Sequence, residues 1–215
     1  MKTVYLIRHG QTDSNVRNVP GHRTDPLSEL GQQQAGAVAE RLKEINIDLM
    51  LASPYIRAHQ TAEVIAQSLM KEIVLEPLFE EQKAVSALRG MSRSDPYGIQ
   101  VRHELVAHVY DPSWHHSDEE NFFDIKLRAE KALQLLEDRP EENILVVTHG
   151  AFLRALARVI ILGDLFTPAT YKVSYHAFGL SNAGVTVFEF VEDRGWQIVR
   201  WNDTVHLSPE LNTHD

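Results

Sequence analysis

Cysteine is absent from the 215-residue chain. That excludes disulfide staples, thiolate metal sites and a cysteine nucleophile, and it fits a reducing compartment. An excess of positive charge is also lacking. Lysine and arginine total 21 against 30 aspartate and glutamate, for a formal net charge of −9. Nucleic acid and anionic membrane surfaces would be repelled, and neither is expected as a partner. No apolar run is long enough to cross a bilayer. The most apolar stretch, residues 151–162, is interrupted by Arg154 and Arg158 and falls short of the ~20 residues a membrane helix needs. The amino terminus shows no signal-peptide pattern and enters a strand-like run directly, so the cytoplasm is the expected location. With no internal repeat, low-complexity tract or linker, a single domain over 1–215 is expected.

What is present is ordinary globular composition, 43% hydrophobic and 24% charged, arranged in segments whose periods alternate. Val4-Tyr5-Leu6-Ile7 is a short apolar run of the kind that forms a strand covered on both faces. Ala35, Val38, Leu42 and Ile45 mark one face of a helix, with Ser28 as its cap. Leu49-Met50-Leu51-Ala52 reads as a second strand. Ser53-Pro54 then looks like a cap followed by proline at the first position of a helix running to about Leu69. Ile73-Val74-Leu75 fits a third strand. Ile125, Ala129, Ala132, Leu133 and Leu136 restore the helical period. Ile144-Leu145-Val146-Val147 is the clearest buried strand, and residues 185–191 and 196–201 read as two closing strands joined at Asp193-Arg194-Gly195. The alternation predicts an α/β fold, a three-layer α/β/α sandwich with a mostly parallel central sheet. Residues 90–117 have no clean period. They belong to an excursion, around 76–120 and partly helical, that is expected to cover the functional site.

In open α/β sheets, side chains placed just beyond the carboxyl ends of separate strands converge on one ligand. Three such ends here carry Arg8-His9, Arg57 and His149. Two guanidinium groups and two imidazoles suit a tetrahedral dianion, because guanidinium grips phosphate oxygens with paired, charge-assisted hydrogen bonds. Helices starting near Pro54 and Ala151 would add unpaired amide N–H groups. Each residue taken singly has a blander reading: a hydrogen-bonded histidine or a solvated helix arginine. The joint placement overturns it.

Arg8-His9-Gly10-Gln11-Thr12 with Asn15, then Ser53-Pro54 followed by Arg57, Ala58, Gln60, Thr61 and Ala62, then Val147-Thr148-His149-Gly150, resemble in order the three signature blocks of the histidine phosphatase superfamily. That superfamily includes the phosphoglycerate mutases. Asn182-Ala183, Asn202-Asp203 and His206-Leu207 resemble it further. The resemblance implies a phosphoglycerate mutase-like fold. It also implies a metal-independent phosphomonoesterase of the histidine acid phosphatase type, with His9 as the nucleophile and a phosphohistidine intermediate. Arg8, Arg57 and His149 would hold the phosphoryl oxygens, and no cofactor is needed. Thr12, Asn15, Gly10, Gly21 and Gly150 are candidate substrate contacts, with Gly10 fitting where backbone approaches the ligand closely. His22 and His176 could line the pocket mouth. The family's general acid lies in a Leu-x-Glu element. Leu78-Phe79-Glu80 matches it and makes Glu80 the preferred acid, with Glu81 one position away as the rival.

The expected substrate is a small phosphorylated metabolite, with phosphate as product. Nothing in the sequence signals an oligomeric state. Mutase-type phosphoryl transfer is the alternative, although the insert the mutases carry is missing and only Arg89, Arg93 and Arg102 could anchor a second acidic group. A weakly active phospho-ligand-binding regulatory protein is a third reading. His115-His116 beside Asp118 and Glu119 is read as a solvated loop, since adjacent histidines diverge and lack the i, i+4 spacing of a helical zinc site.

Overall fold

In the computed structural model, which describes residues 1–92, 94–174 and 177–213, six strands form one sheet. They are β1 (Lys2–Arg8), β2 (Leu49–Ala52), β3 (Ile73–Leu75), β4 (Asn143–Thr148), β5 (Val185–Val191) and β6 (Gly195–Asp203), in the spatial order β3-β2-β4-β1-β5-β6. The first four in that order pair in parallel, and β5 runs antiparallel to both β1 and β6. This is the mixed, mostly parallel sheet expected.

The continuous apolar runs of β1 and β4 are explained by helices on both faces. On one face, α5 (Phe122–Asp138) and α6 (Gly150–Leu162) pack Ile125, Leu133, Phe152 and Leu156 against Val4, Leu6, Ile144 and Val146. On the other, α2 (Glu29–Leu42) and α3 (Ile56–Leu69) pack Val38, Leu42, Ala62 and Ile65 against Ile7, Leu145 and Val147. Successive strand residues therefore serve opposite layers, as a side-chain period of two requires. The chain leaves β1 toward one layer and leaves β4, its neighbour, toward the other. A crevice opens where those directions part.

Ser28 caps α2 by accepting the Gly31 N–H, as expected. Ser53 does not cap α3. That helix begins at Ile56 after Tyr55, with no side-chain cap, and Ser53 is turned toward the crevice instead. The excursion holds two short 3₁₀ turns, Pro77–Phe79 and Ser86–Leu88, and α4 (Pro96–Ala107), whose first turn is capped by Asp95. Its own buried apolar residues are few: Val85, Leu88 and Val101, with Met91 and Leu105 against them. Among the described residues no helix is long and apolar enough to cross a membrane.

Candidate active site

The register of β1 and β4 sets Arg8 level with Thr148, and Ser53 follows β2 with its N–H on the Val147 carbonyl. Arg8, His9, Ser53 and His149 thus leave three adjacent strands at one height. The His9 loop is fixed by main-chain bonds: its N–H donates to Thr148, and its carbonyl accepts from Ala183 N–H and from Asn182 Nδ2 at 3.2 Å. A short helix, α1 (Asp13–Val16), follows. Gly10 is required here for a reason other than ligand approach. A Cβ on Gly10 would stand 2.4 Å from the Gly31 carbonyl oxygen, and one on Gly31 would stand 2.2 Å from that of Gln11. The His9 loop and the start of α2 therefore touch backbone to backbone.

His9 is only 3% exposed. Its Nδ1 lies 2.7 Å from the Gly10 carbonyl, which can only accept, so Nδ1 carries the proton and Nε2 the lone pair. That lone pair receives Arg57 Nε–H at 3.0 Å. Arg57 Nη1 donates to the His22 carbonyl and Arg8 Nη1 to the Leu180 carbonyl. Arg57 is buried, and both of these acceptors are uncharged. A dianion entering the crevice would add negative charge beside Arg57, on which Glu81 and Asp25 already act.

His149 is fully buried. Ser53 Oγ, which accepts the Tyr55 N–H at 3.3 Å, can donate its hydroxyl proton to His149 Nε2 at 2.7 Å. That arrangement puts the ring proton on Nδ1, a buried atom with no hydrogen-bond partner among the described residues. An unpaired buried donor beside His9, ring centroids 5.1 Å apart, is a group that a phosphoryl oxygen would satisfy. Both imidazoles are held well below the ordinary histidine pKa. Desolvation is the largest cause and the Arg57 guanidinium the next. His9 is therefore neutral near neutral pH, with its lone pair on Nε2.

The two glutamates separate. Phe79, not Leu78, is the fully buried apolar anchor of the segment. Glu80 Oε1 pairs with Arg23 Nη2 at 2.8 Å at the rim. Glu81 instead places its carboxylate over the start of α6, accepting the Ala151 N–H at 3.2 Å and the Phe152 N–H at 3.0 Å. It is also the first carboxylate among those acting on Arg57. Phe79 is thus the apolar residue two positions before the glutamate that meets α6. The amides expected to face a ligand at Ala151 are already occupied by a side chain.

Thr12 and Asn15 form a capping box on α1: the Thr12 hydroxyl and N–H both donate to Asn15 Oδ1, which also accepts from Asn182 Nδ2. The Thr12 donor is therefore committed, while Asn15 keeps its NH₂ end for other contacts. Gly21 packs against Asp25, which holds Ser14 Oγ and the His22 N–H. Gly150 begins α6, and a Cβ there would meet Arg8 Nε at an ordinary 3.4 Å. His22 reaches the site through its carbonyl, while its ring faces Thr24. His176 and Arg93 lie outside the described residues. The His115 and His116 rings diverge to Asp124 and Glu104. No cluster of three or more metal-ligating side chains occurs among the described residues.

The sequence marks Ser53 as a helix cap and not as a partner of His149, and it does not mark Tyr55 or Arg23. Tyr55 stacks edge-on to His149 at 5.0 Å, and both Arg57 and Arg23 lie over its ring.

The site and fold define a class. The family model for the histidine phosphatase superfamily (branch 1) matches residues 4–204, and the chain belongs to that family. An uncharacterized phosphatase, PhoE, of Bacillus subtilis (strain 168) is 30% identical over 97% of this chain and 98% of its own length. A probable phosphoglycerate mutase, GpmB, of Escherichia fergusonii is also 30% identical, over 99% and 98%. A mutant phosphoserine phosphatase from Entamoeba histolytica, solved with phosphoserine, superposes with a TM-score of 0.78 at 28% identity, covering 97% of this chain and all of its own.

Proposed function

We propose that this protein is a metal-independent phosphomonoesterase that hydrolyses a small phosphorylated metabolite through a phosphohistidine at His9 Nε2. The observation that carries this is the neutral, buried His9, whose Nε2 lone pair faces Arg57 beside the unpaired Nδ1 of His149. As Arg57 Nε–H turns from Nε2 to the phosphoryl oxygens, the freed lone pair attacks phosphorus and the ester P–O bond breaks. Arg8, Arg57 and His149 Nδ1–H take the developing charge on the phosphoryl oxygens. Glu81 takes the proton of the phosphate ester monoanion as it binds, gives it to the leaving alkoxide, then takes one from the water that attacks the phosphohistidine. The P–N bond breaks, orthophosphate leaves and the acid is restored. Glu81 replaces Glu80 in this role because its carboxylate adjoins the His149 helix and acts on Arg57, while Glu80 is turned to Arg23. The excursion over residues 76–120 closes the mouth: Glu80 meets Arg23, and the Gly90 N–H donates to the Pro20 carbonyl.

The test is hydrolysis of p-nitrophenyl phosphate by the parent and His9→Ala, each with and without a chelator. The expected result is full parent activity with chelator, none in the variant, and a base-stable, acid-labile phosphoenzyme in the parent. Chelator-sensitive activity, or residual turnover equal in the two proteins, would overturn the mechanism. The relative named as a probable mutase favours one second reading, transfer rather than hydrolysis. Release of orthophosphate from 3-phosphoglycerate without formation of 2-phosphoglycerate decides against it.

A further inference from the structure

We infer that Arg128, which nothing in the proposed chemistry uses, is a positioning residue that sets the aim of the general acid. The inference rests on the acid reading of Glu81 and deepens it. Arg128 projects from α5, and its side chain is largely buried. A guanidinium has five N–H donors in a rigid fork, and here each has its own acceptor. Nη1 donates to the carbonyls of Leu78 and Glu80, both at 2.8 Å. Nη2 donates to the carbonyl of Glu81 at 3.3 Å and to Glu120 Oε2 at 2.7 Å, and Nε donates to Glu120 Oε1 at 2.6 Å. Three of the five bonds fall on the four-residue segment that carries the acid.

The other face of the guanidinium lies 4.2 Å over the ring of Phe152, whose N–H holds the Glu81 carboxylate. Glu120, the bidentate partner, grips the chain just after the acid: its carboxylate accepts the Lys83 N–H, and its own N–H donates to the Lys83 carbonyl. One cation thus joins the acid's backbone, the helix end that holds its carboxylate, and the chain beyond it. Among the described residues the segment has no regular ladder; besides Arg128 it is fixed by a 3₁₀ turn at Pro77–Phe79 and by the Thr148 hydroxyl, which donates to the Phe79 carbonyl at 2.8 Å. A lysine would keep the charge but lose the planar fork.

The test compares an alkyl phosphate, phosphoserine, with p-nitrophenyl phosphate, whose leaving group needs little protonation. For Arg128→Lys we expect a loss of kcat of about 10- to 100-fold on the alkyl ester, less than about 3-fold on the aryl ester, and inhibition by orthovanadate within about 2-fold of the parent. Glu120→Gln, a milder change that keeps the carbonyl contacts, should show the same split at smaller size, and it carries the test if Arg128→Lys does not fold. Equal losses on both esters, or no loss on either, would overturn the positioning role. Glu81→Gln run in parallel separates the causes. If it shows the split and the clamp variants do not, the clamp alone fails. If it shows none, the acid assignment fails and the clamp with it.

Discussion

The phosphate-facing half of the molecule and the excursion over it are built on opposite principles. His9, Arg57 and His149 are buried polar groups, each tied to backbone that a parallel strand or its continuation has already fixed. The excursion has a small apolar cluster of its own, and its charges are paired near solvent, as in Lys83–Asp118 and His115–Asp124. Burying polar groups is costly unless a partner satisfies them, so the first arrangement demands its anion and tolerates little change. Partly exposed pairs cost little and constrain little. Under the proposed function, phosphate chemistry is held by the core, and the choice of phosphate ester falls to a surface that can vary without unfolding the sheet.

The largest effect that would sharpen this contrast is at Arg57. Arg57→Ala removes a guanidinium aimed at developing charge and should lower kcat/KM on p-nitrophenyl phosphate by about 10²- to 10³-fold, with the melting temperature kept or raised because a buried cation is gone. A drop below about 10-fold would show that the buried half is not the phosphoryl clamp. Next in size, Glu81→Gln should slow phosphoserine about 10²-fold more than the aryl ester, while Glu80→Gln changes both by less than about 3-fold. The reverse pattern would return the acid to the residue that the linear Leu-x-Glu match selects.

The same contrast governs what was legible from the sequence. β1 and β4 could be read because burial on two faces writes an unbroken apolar run, and the site residues at their ends could be read because strand ends converge in this kind of sheet. Ser53 was misread because a serine before a proline has the local pattern of a helix cap, whereas its hydrogen bond is to His149, 96 residues away. The proposed acid lies one position from the residue that the linear match prefers, because nothing local distinguishes Leu78 from Phe79 as the buried anchor. Arg128 left no signal: it is one charged residue on an amphipathic helix, and its carbonyl partners are 47 to 50 residues distant.

A smaller effect concerns acid stability. The buried imidazoles of His9 and His149 have folded-state pKa values well below 6.5, with desolvation the main cause. As pH falls below 6.5 the unfolded chain binds protons that the folded chain refuses, so stability falls with pH. The slope contributed by the pair reaches up to about 2.7 kcal/mol per pH unit until the folded-state values are met. Orthophosphate favours the charged imidazole and should flatten this dependence. Urea unfolding from pH 7 to pH 5, with and without orthophosphate, checks both statements. A flat profile without ligand would mean that the two histidines are not buried neutral.

The smallest effect belongs to the excursion and has the opposite sign. His115 is exposed, and its hydrogen bond to Asp124 raises its pKa above 6.5. Its contribution to stability is therefore present below pH 6.5 and lost as pH rises through the folded-state value. Asp124 also accepts the Asn121 N–H in the capping box of α5, a bond that survives without the imidazole. His115→Ala should thus leave activity unchanged and the melting temperature at pH 7 within about 2 °C of the parent. Imidazole NMR should place the His115 midpoint above 6.5 and those of His9 and His149 below it. A His115→Ala variant that lost activity or melted far lower would show the excursion to be as tightly built as the core, and the division between the two regions would not stand.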